Sequence, residues 1–227
     1  MTEVPSERLS SSHLEDLAFI VLSARPDAAD FNPYVELNDD ARARLRSRLK
    51  QLARYDFPSS LSEDKSLRRG YTLRQCCRLT VGLLLLDAHL PASLAVMLAR
   101  NNEVSFLRAI ASRLAADSRG DATPEDLLSV IVSGELQDTL ASPAWIAAES
   151  GRVRLVRRDE LSQLWADDLA GSGARLVVDM ATAAGALWTW ISSRRLMTDL
   201  ARVALIADID HETGPGFVFV EDGKLRR

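Results

Sequence analysis

Along the chain, the apolar positions fall into blocks of different period. Leu14, Leu17, Ala18, Val21 and Leu22 recur at helical spacing and predict a short helix over 13–24, ended by Pro26 and the loop through Pro33. The residues before it, MTEVPSERLSSS, are polar and are expected to form a disordered lead-in over 1–12. A firmer helix is predicted over 38–54. Asn38 suits the N-cap, Asp39 and Asp40 put negative charge in the first turn, and Ala41, Leu45, Leu49 and Leu52 form an apolar stripe. Phe57-Pro58 closes that unit. Ser59 to Gly70 is polar and basic without a hydrophobic period, as an exposed loop or hairpin would be. Thr72 and Gln75 make a capping-box pair that opens a helix to about His89. This helix is apolar nearly all round (Leu73, Cys76, Leu79, Val81, Leu83, Leu84, Leu85, Leu86) and is expected to be the core of its domain, with His89 in a structural role at its end. Leu90-Pro91 breaks it. Ala92 to Arg100 then predicts a short helix, and Val104, Leu107, Ile110, Ala111 and Leu114 mark another.

The texture changes at 118–123, a boundary marked by Gly120. Thr123-Pro124 and Ser142-Pro143 read as helix starts, and Leu127 to Val132 reads equally as helix or strand. Val153 to Arg157 alternates like a half-exposed strand. Arg175–Met180, Val203–Ile209 and Phe217–Val220 also read as strands, the last two around the Gly214-Pro215-Gly216 turn. Asp159 to Leu169 and Ala184 to Met197 read as helices. The pattern predicts a mainly α protein, with a helical domain over 13–117 and a smaller α+β domain over 123–227.

Composition narrows the function classes. Of 227 residues, 47% are apolar and 26% charged, as in an ordinary globular protein. The longest strongly apolar run, Leu79 to Leu86, is far short of the roughly 20 residues that span a bilayer. The polar start has no apolar signal core, and Cys76 and Cys77 are neighbours that cannot supply the spaced ligand pairs of a zinc site. They read as buried thiols in a reduced compartment, so a cytoplasmic protein with no membrane partner is expected. No nucleophile elbow, phosphate-binding glycine loop or paired metal motif is present. Neither an enzyme nor a cofactor is therefore expected. Asp208, Asp210, His211 and Glu212 lie close in sequence, but read more simply as an acidic turn than as a metal site. Trp165, Trp188 and Trp190 read as core ahead of a ligand pocket or dimer interface.

Charge is the distinctive feature. The chain is −4 overall, yet residues 41–80 hold eleven basic residues against three acidic ones, a net +8 facing −12 elsewhere. Arg42, Arg46, Lys50 and Arg54 follow one another at i+4 on the 38–54 helix, with Arg44 and Arg48 on the other flank. Few acids are interleaved at i±4, so local ion pairs cannot absorb this charge. Aligned cations on one rigid face suit a phosphate backbone, and a helix with a greasy back and a basic front suits the major groove.

These residues carry a family resemblance over 45–110. LRSRLKQLARYDFP resembles the recognition helix and exit of MerR-like winged helix-turn-helix regulators, SSLSEDKSLRRG their wing, and YTLRQCCRLTVGLLLLDAHLPASLAVMLAR the two helices behind it. The resemblance implies a winged helix-turn-helix character for the N-terminal domain. It also implies that Arg44, Arg46, Arg48 and Lys50 face the groove, and that Lys65, Arg68, Arg69 and Tyr71 meet phosphates in or beside the wing. Arg42, Arg54 and Arg74 complete the expected DNA-binding set, with Arg74 and Arg78 projecting from a buried helix. The resulting expectation is a sequence-specific double-stranded DNA-binding transcriptional regulator. It would act as a homodimer, since one helix reads few base pairs, and its C-terminal domain would serve dimerisation, ligand sensing or contact with the transcription machinery. The alternative is a protein–protein adaptor whose basic face docks an acidic partner.

Overall fold

The structure is a computed structural model. It describes residues 8–23, 30, 32, 37–59, 70–119, 127–132, 153–162, 175–213, 220–221 and 224–225. These residues are mainly helical. Helix α1 spans Leu14–Ser23 behind a 3-10 turn at Ser11–His13. The next four helices are α2 (Asp39–Ala53), α3 (Leu73–Asp87), α4 (Ala92–Asn101) and α5 (Glu103–Arg119). Strands β1 (Leu127–Val132), β2 (Val153–Arg157) and β3 (Arg175–Val178) follow, then α6 (Met180–Ser193) and α7 (Asp199–Thr213), and a short antiparallel pair, β4 (Val220–Glu221) and β5 (Lys224–Leu225).

Local chemistry sets the helix starts. The Asn38 side chain accepts from the Ala41 N–H at 2.8 Å, and Thr72 and Gln75 close a reciprocal capping box at the head of α3. At α6 the N-cap is Asp179. Its Oδ1 accepts from the Thr182 N–H at 2.9 Å and its Oδ2 from the Thr182 hydroxyl at 2.7 Å, while Arg158 pairs with the same carboxylate. Burial alone would raise the Asp179 pKa; the Thr182 bonds and the Arg158 charge outweigh it and hold the carboxyl below its ordinary value. A lowered folded-state pKa means that this cap stabilises the fold above the ordinary carboxylate range and is lost as the pH falls through the folded value. Asp179→Ala is expected to cost about 1–2 kcal/mol at pH 7. The gap to the unmodified protein should narrow at pH 3, measured by denaturant unfolding at both pH values.

The three-stranded sheet has the order β2-β1-β3 and is antiparallel throughout, with Ser129 opposite both Leu155 and Val178. Helices α5 and α6 pack against β1. Leu127–Val132, open between helix and strand in the sequence, is thus the central strand. The predicted strand at Val203–Ile209 is instead part of α7. Leu205 and Ile209, four residues apart, turn into the core, while Val203, Ala204 and Ala207 face out, and a period near 3.6 wins over the local run of apolar residues. The Asp159–Leu169 helix is seen only as a 3-10 turn at Arg158–Glu160 and helical residues at 161–162; 163–169 lie outside the described residues, as do Ser142-Pro143 and Trp165.

Apolar residues from both sides of the 118–123 boundary form one buried cluster. It joins Leu17, Ile20 and Val21 of α1, most of α3, Phe106 and Ile110 of α5, and Met180, Leu187, Trp190 and Ile191 of α6. Helix α6 lies on α1 and α5, and α7 lies on α5 and α3. Trp188 and Trp190 are buried core residues, and the Arg202 guanidinium sits 5.0 Å over the Trp188 ring.

Residues 8–12, expected within a disordered lead-in, are instead tied down. The Leu9 N–H donates to the Tyr71 carbonyl at 2.7 Å and the Tyr71 N–H to the Leu9 carbonyl at 2.8 Å, while Leu9 itself is buried. One apolar residue in a polar stretch suffices, because its backbone finds a partner across the fold. Gly70 makes this approach possible. Its φ is +88°, and a Cβ there would lie 2.5 Å from the Leu9 carbonyl oxygen. Gly70→Ala combines backbone strain with a clash against main chain, and is expected to cost about 2 kcal/mol or more in thermal or chemical unfolding.

Candidate nucleic-acid interface

Helix α2 is held from behind and on both flanks. Leu45 and Leu52 are buried, Leu49 and Ala41 are half-buried, and the helix packs on α1, α3 and α4. On the α1 side, Glu15 receives Arg42 Nη1 at 3.2 Å and Arg46 Nε at 3.3 Å, with Asp16 a further 3.9 Å contact for Arg42. On the other side Arg48 Nη1 pairs with Asp87 Oδ1 at 2.7 Å. At the exit of α2, Arg100 donates to the carbonyls of Tyr55 at 2.7 Å and Asp56 at 3.2 Å.

The i+4 row of cations therefore does two jobs. Each i+4 step turns the row by about 40° around the helix, so its members cannot share one face. Arg42 and Arg46 look towards α1, whereas Lys50 and Arg54 look out. Arg44 also faces out, its Nε donating to the Asp40 carbonyl at 3.4 Å. Among the described residues, Arg44, Lys50 and Arg54 have no carboxylate partner, and all three are exposed. Ser47 and Gln51 share their face, and Tyr55 follows at its end, 43% exposed. Ser47, Gln51 and Tyr55 were missing from the expected set. The signal for them is plain helical geometry, since Ser47 lies three residues from both Arg44 and Lys50, Gln51 three from Arg54 and four from Ser47, and Tyr55 four from Gln51.

Compared with protein-family models, with curated proteins and with solved structures, the chain has no match.

The other expected contacts divide in the same way. Arg74 is engaged: its guanidinium meets Glu103 Oε1 at 2.6 Å and Glu212 at 2.6 and 2.8 Å. Arg78 is buried, with Nη2 2.8 Å from the same Glu103 oxygen and Nη1 donating to the Pro58 carbonyl. Both arginines clamp α3 to α5, and Arg74 adds α7. Tyr71 is half-buried against the core, and burial raises its phenol pKa. Lys65, Arg68 and Arg69, and the wing to which the resemblance assigns them, lie outside the described residues.

Chemistry elsewhere is muted. Burial pushes the Cys77 thiol up to about 12 and raises Cys76 as well, so neither is a thiolate at neutral pH. In the acidic run on α7, Asp210 pairs with Arg108 and Glu212 with Arg74. No group of residues able to hold a metal ion occurs among those described. Nor, among them, is any helix long and apolar enough to cross a membrane.

Proposed function

We propose that this protein is a sequence-specific double-stranded DNA-binding transcriptional regulator that offers the outward face of α2 to the major groove. One observation carries the reading. A braced helix exposes Arg44, Lys50 and Arg54, free of carboxylates among the described residues, with Ser47 and Gln51 between them. Cations of this kind serve phosphates, and Gln or Ser between them serves base edges. The packing of α1 on α2 supports a helix-turn-helix, and the Leu9–Tyr71 pairing anchors the chain directly after the 59–70 segment that the resemblance assigns to a wing. The MerR-like resemblance points the same way. Groove contact thereby passes from Arg46 and Arg48 to Arg44, Lys50, Gln51 and Arg54.

Two-fold pairing completes the reading. Leu200, Val203, Ala204 and Ala207 make an exposed apolar stripe along α7, suited to a second copy of the chain. Selection from a random duplex pool, with the mass in solution measured in parallel, tests both parts. A two-fold symmetric consensus bound by a dimer is expected. A protein that fails to shift any duplex at moderate salt but binds acidic protein would replace this reading with the adaptor.

A further inference from the structure

The exit of α2 carries a cation that belongs to another helix. After Ala53 the chain leaves α2 through Arg54, Tyr55 and Asp56, with Asp56 at φ +53°. The last carbonyls of a helix have no partner inside it. Here those of Leu52 and Ala53 accept from the Tyr55 and Asp56 N–H groups at 3.0 and 3.1 Å. Those of Tyr55 and Asp56 both accept from Nη2 of Arg100, at 2.7 and 3.2 Å. Arg100 stands in the last turn of α4, which packs on α2. It is half-buried and its Nε is buried, so the fold holds the side chain in place. Both of its acceptors are neutral, and it meets no carboxylate among the described residues. Its charge is therefore not cancelled where it lies.

That placement changes the sign of the field at the helix end. The carbonyl end of a helix carries about half a negative charge and repels a phosphate. A full positive charge laid over those carbonyls reverses the repulsion. Arg54, exposed and likewise without a carboxylate among the described residues, adds a second positive charge at the same exit. We propose that Arg100 is a phosphate contact of the bound duplex, made from outside α2 and shared with Arg54 at the exit of that helix. The contact rests on the DNA-binding reading of α2 and extends the interface onto α4. A guanidinium has five donors, and Nη1 makes no bond among the described residues, so Arg100 keeps both carbonyls while it receives a phosphate oxygen. Little side-chain freedom is lost on binding, because the group is already held. One guanidinium then joins the backbone of α2 to the backbone of the duplex, and contacts of that kind set how a protein is positioned on DNA.

The test titrates the full chain, Arg100→Gln and Arg100→Lys with random-sequence duplex over a series of salt concentrations, and takes the Tm of each to verify the fold. Arg100→Gln keeps an amide donor for the two carbonyls but removes the charge. It should bind about fivefold more weakly, the loss of one charged contact. Its slope of log K against log salt should be shallower by about 0.9, for one phosphate no longer neutralised. Arg100→Lys keeps the charge and should keep the slope. A residue that only capped α2 would alter affinity and Tm without altering the slope, because the number of neutralised phosphates would be the same. A slope for Arg100→Gln equal to that of the unmodified protein would therefore overturn this contact and leave the reading of α2 standing. Failure of the unmodified protein to bind duplex would overturn both.

Discussion

Glu103→Ala is expected to cost about 3–5 kcal/mol of folding stability, the range seen when one partner of a buried ion pair is removed. For a chain of this size that corresponds to a fall in Tm of roughly 6–20 °C. The reason lies in how the charges are buried. The Arg78 side chain is 8% exposed and that of Glu103 18%, and the same carboxylate oxygen meets Arg74 and Arg78. Without Glu103, the Arg78 guanidinium stays in the core and loses its carboxylate contact at 2.8 Å. Arg74 retains Glu212, so the damage concentrates at Arg78. A double substitution separates buried charge from simple loss of packing. Replacing both partners by apolar residues of similar volume, Glu103→Leu with Arg78→Met, should recover most of the stability, because no uncompensated charge remains. A double variant as unstable as the single one would refute the buried-charge explanation.

The triple variant Arg44→Ala, Lys50→Ala, Arg54→Ala is expected to bind duplex DNA on the order of a hundredfold more weakly, at about 1 kcal/mol per cation. The slope of log K against log salt should fall by about 2.7, at roughly 0.9 for each phosphate that the variant leaves unneutralised. Stability should hardly change, within about 0.5 kcal/mol, because the three side chains are exposed and bridge no carboxylate among the described residues. Arg46→Ala with Arg48→Ala is the informative contrast. Those side chains already meet Glu15 and Asp87, so their removal should affect DNA binding less than the triple change does. Equal salt slopes for the triple variant and the unmodified protein, measured by fluorescence anisotropy, would remove the outward face of α2 from the interface.

Much of the helical framework was legible because its signals are local. Asn38 and the Thr72–Gln75 pair announce their helices within three residues, and the apolar stripe of α2 gives its buried side directly. The fate of the charges was not legible. The scarcity of acids at i±4 suggested an unpaired basic face, yet Glu15 lies 27 positions from Arg42, Asp87 39 from Arg48 and Glu212 138 from Arg74. Tertiary pairing over such distances leaves no trace in a helical period. The same blindness explains α7. A run such as Val203-Ala204-Leu205-Ile206 fits strand or helix alone, and only packing on α5 and α3 decides it.

The pairing of Leu9 with Tyr71 bears on how the protein reaches its native state. Alongside it Arg8 Nη1 reaches the Gly70 carbonyl, 62 positions away. Closing so long a loop in a flexible chain costs about 4 kcal/mol in lost configurational freedom, more than two main-chain hydrogen bonds return. The ends can meet cheaply only after α1 and α2 have docked and shortened the path between them. The clasp between the chain start and α3 is thus a late event in folding, and the amide protons of Leu9 and Tyr71 are a natural clock for its last step.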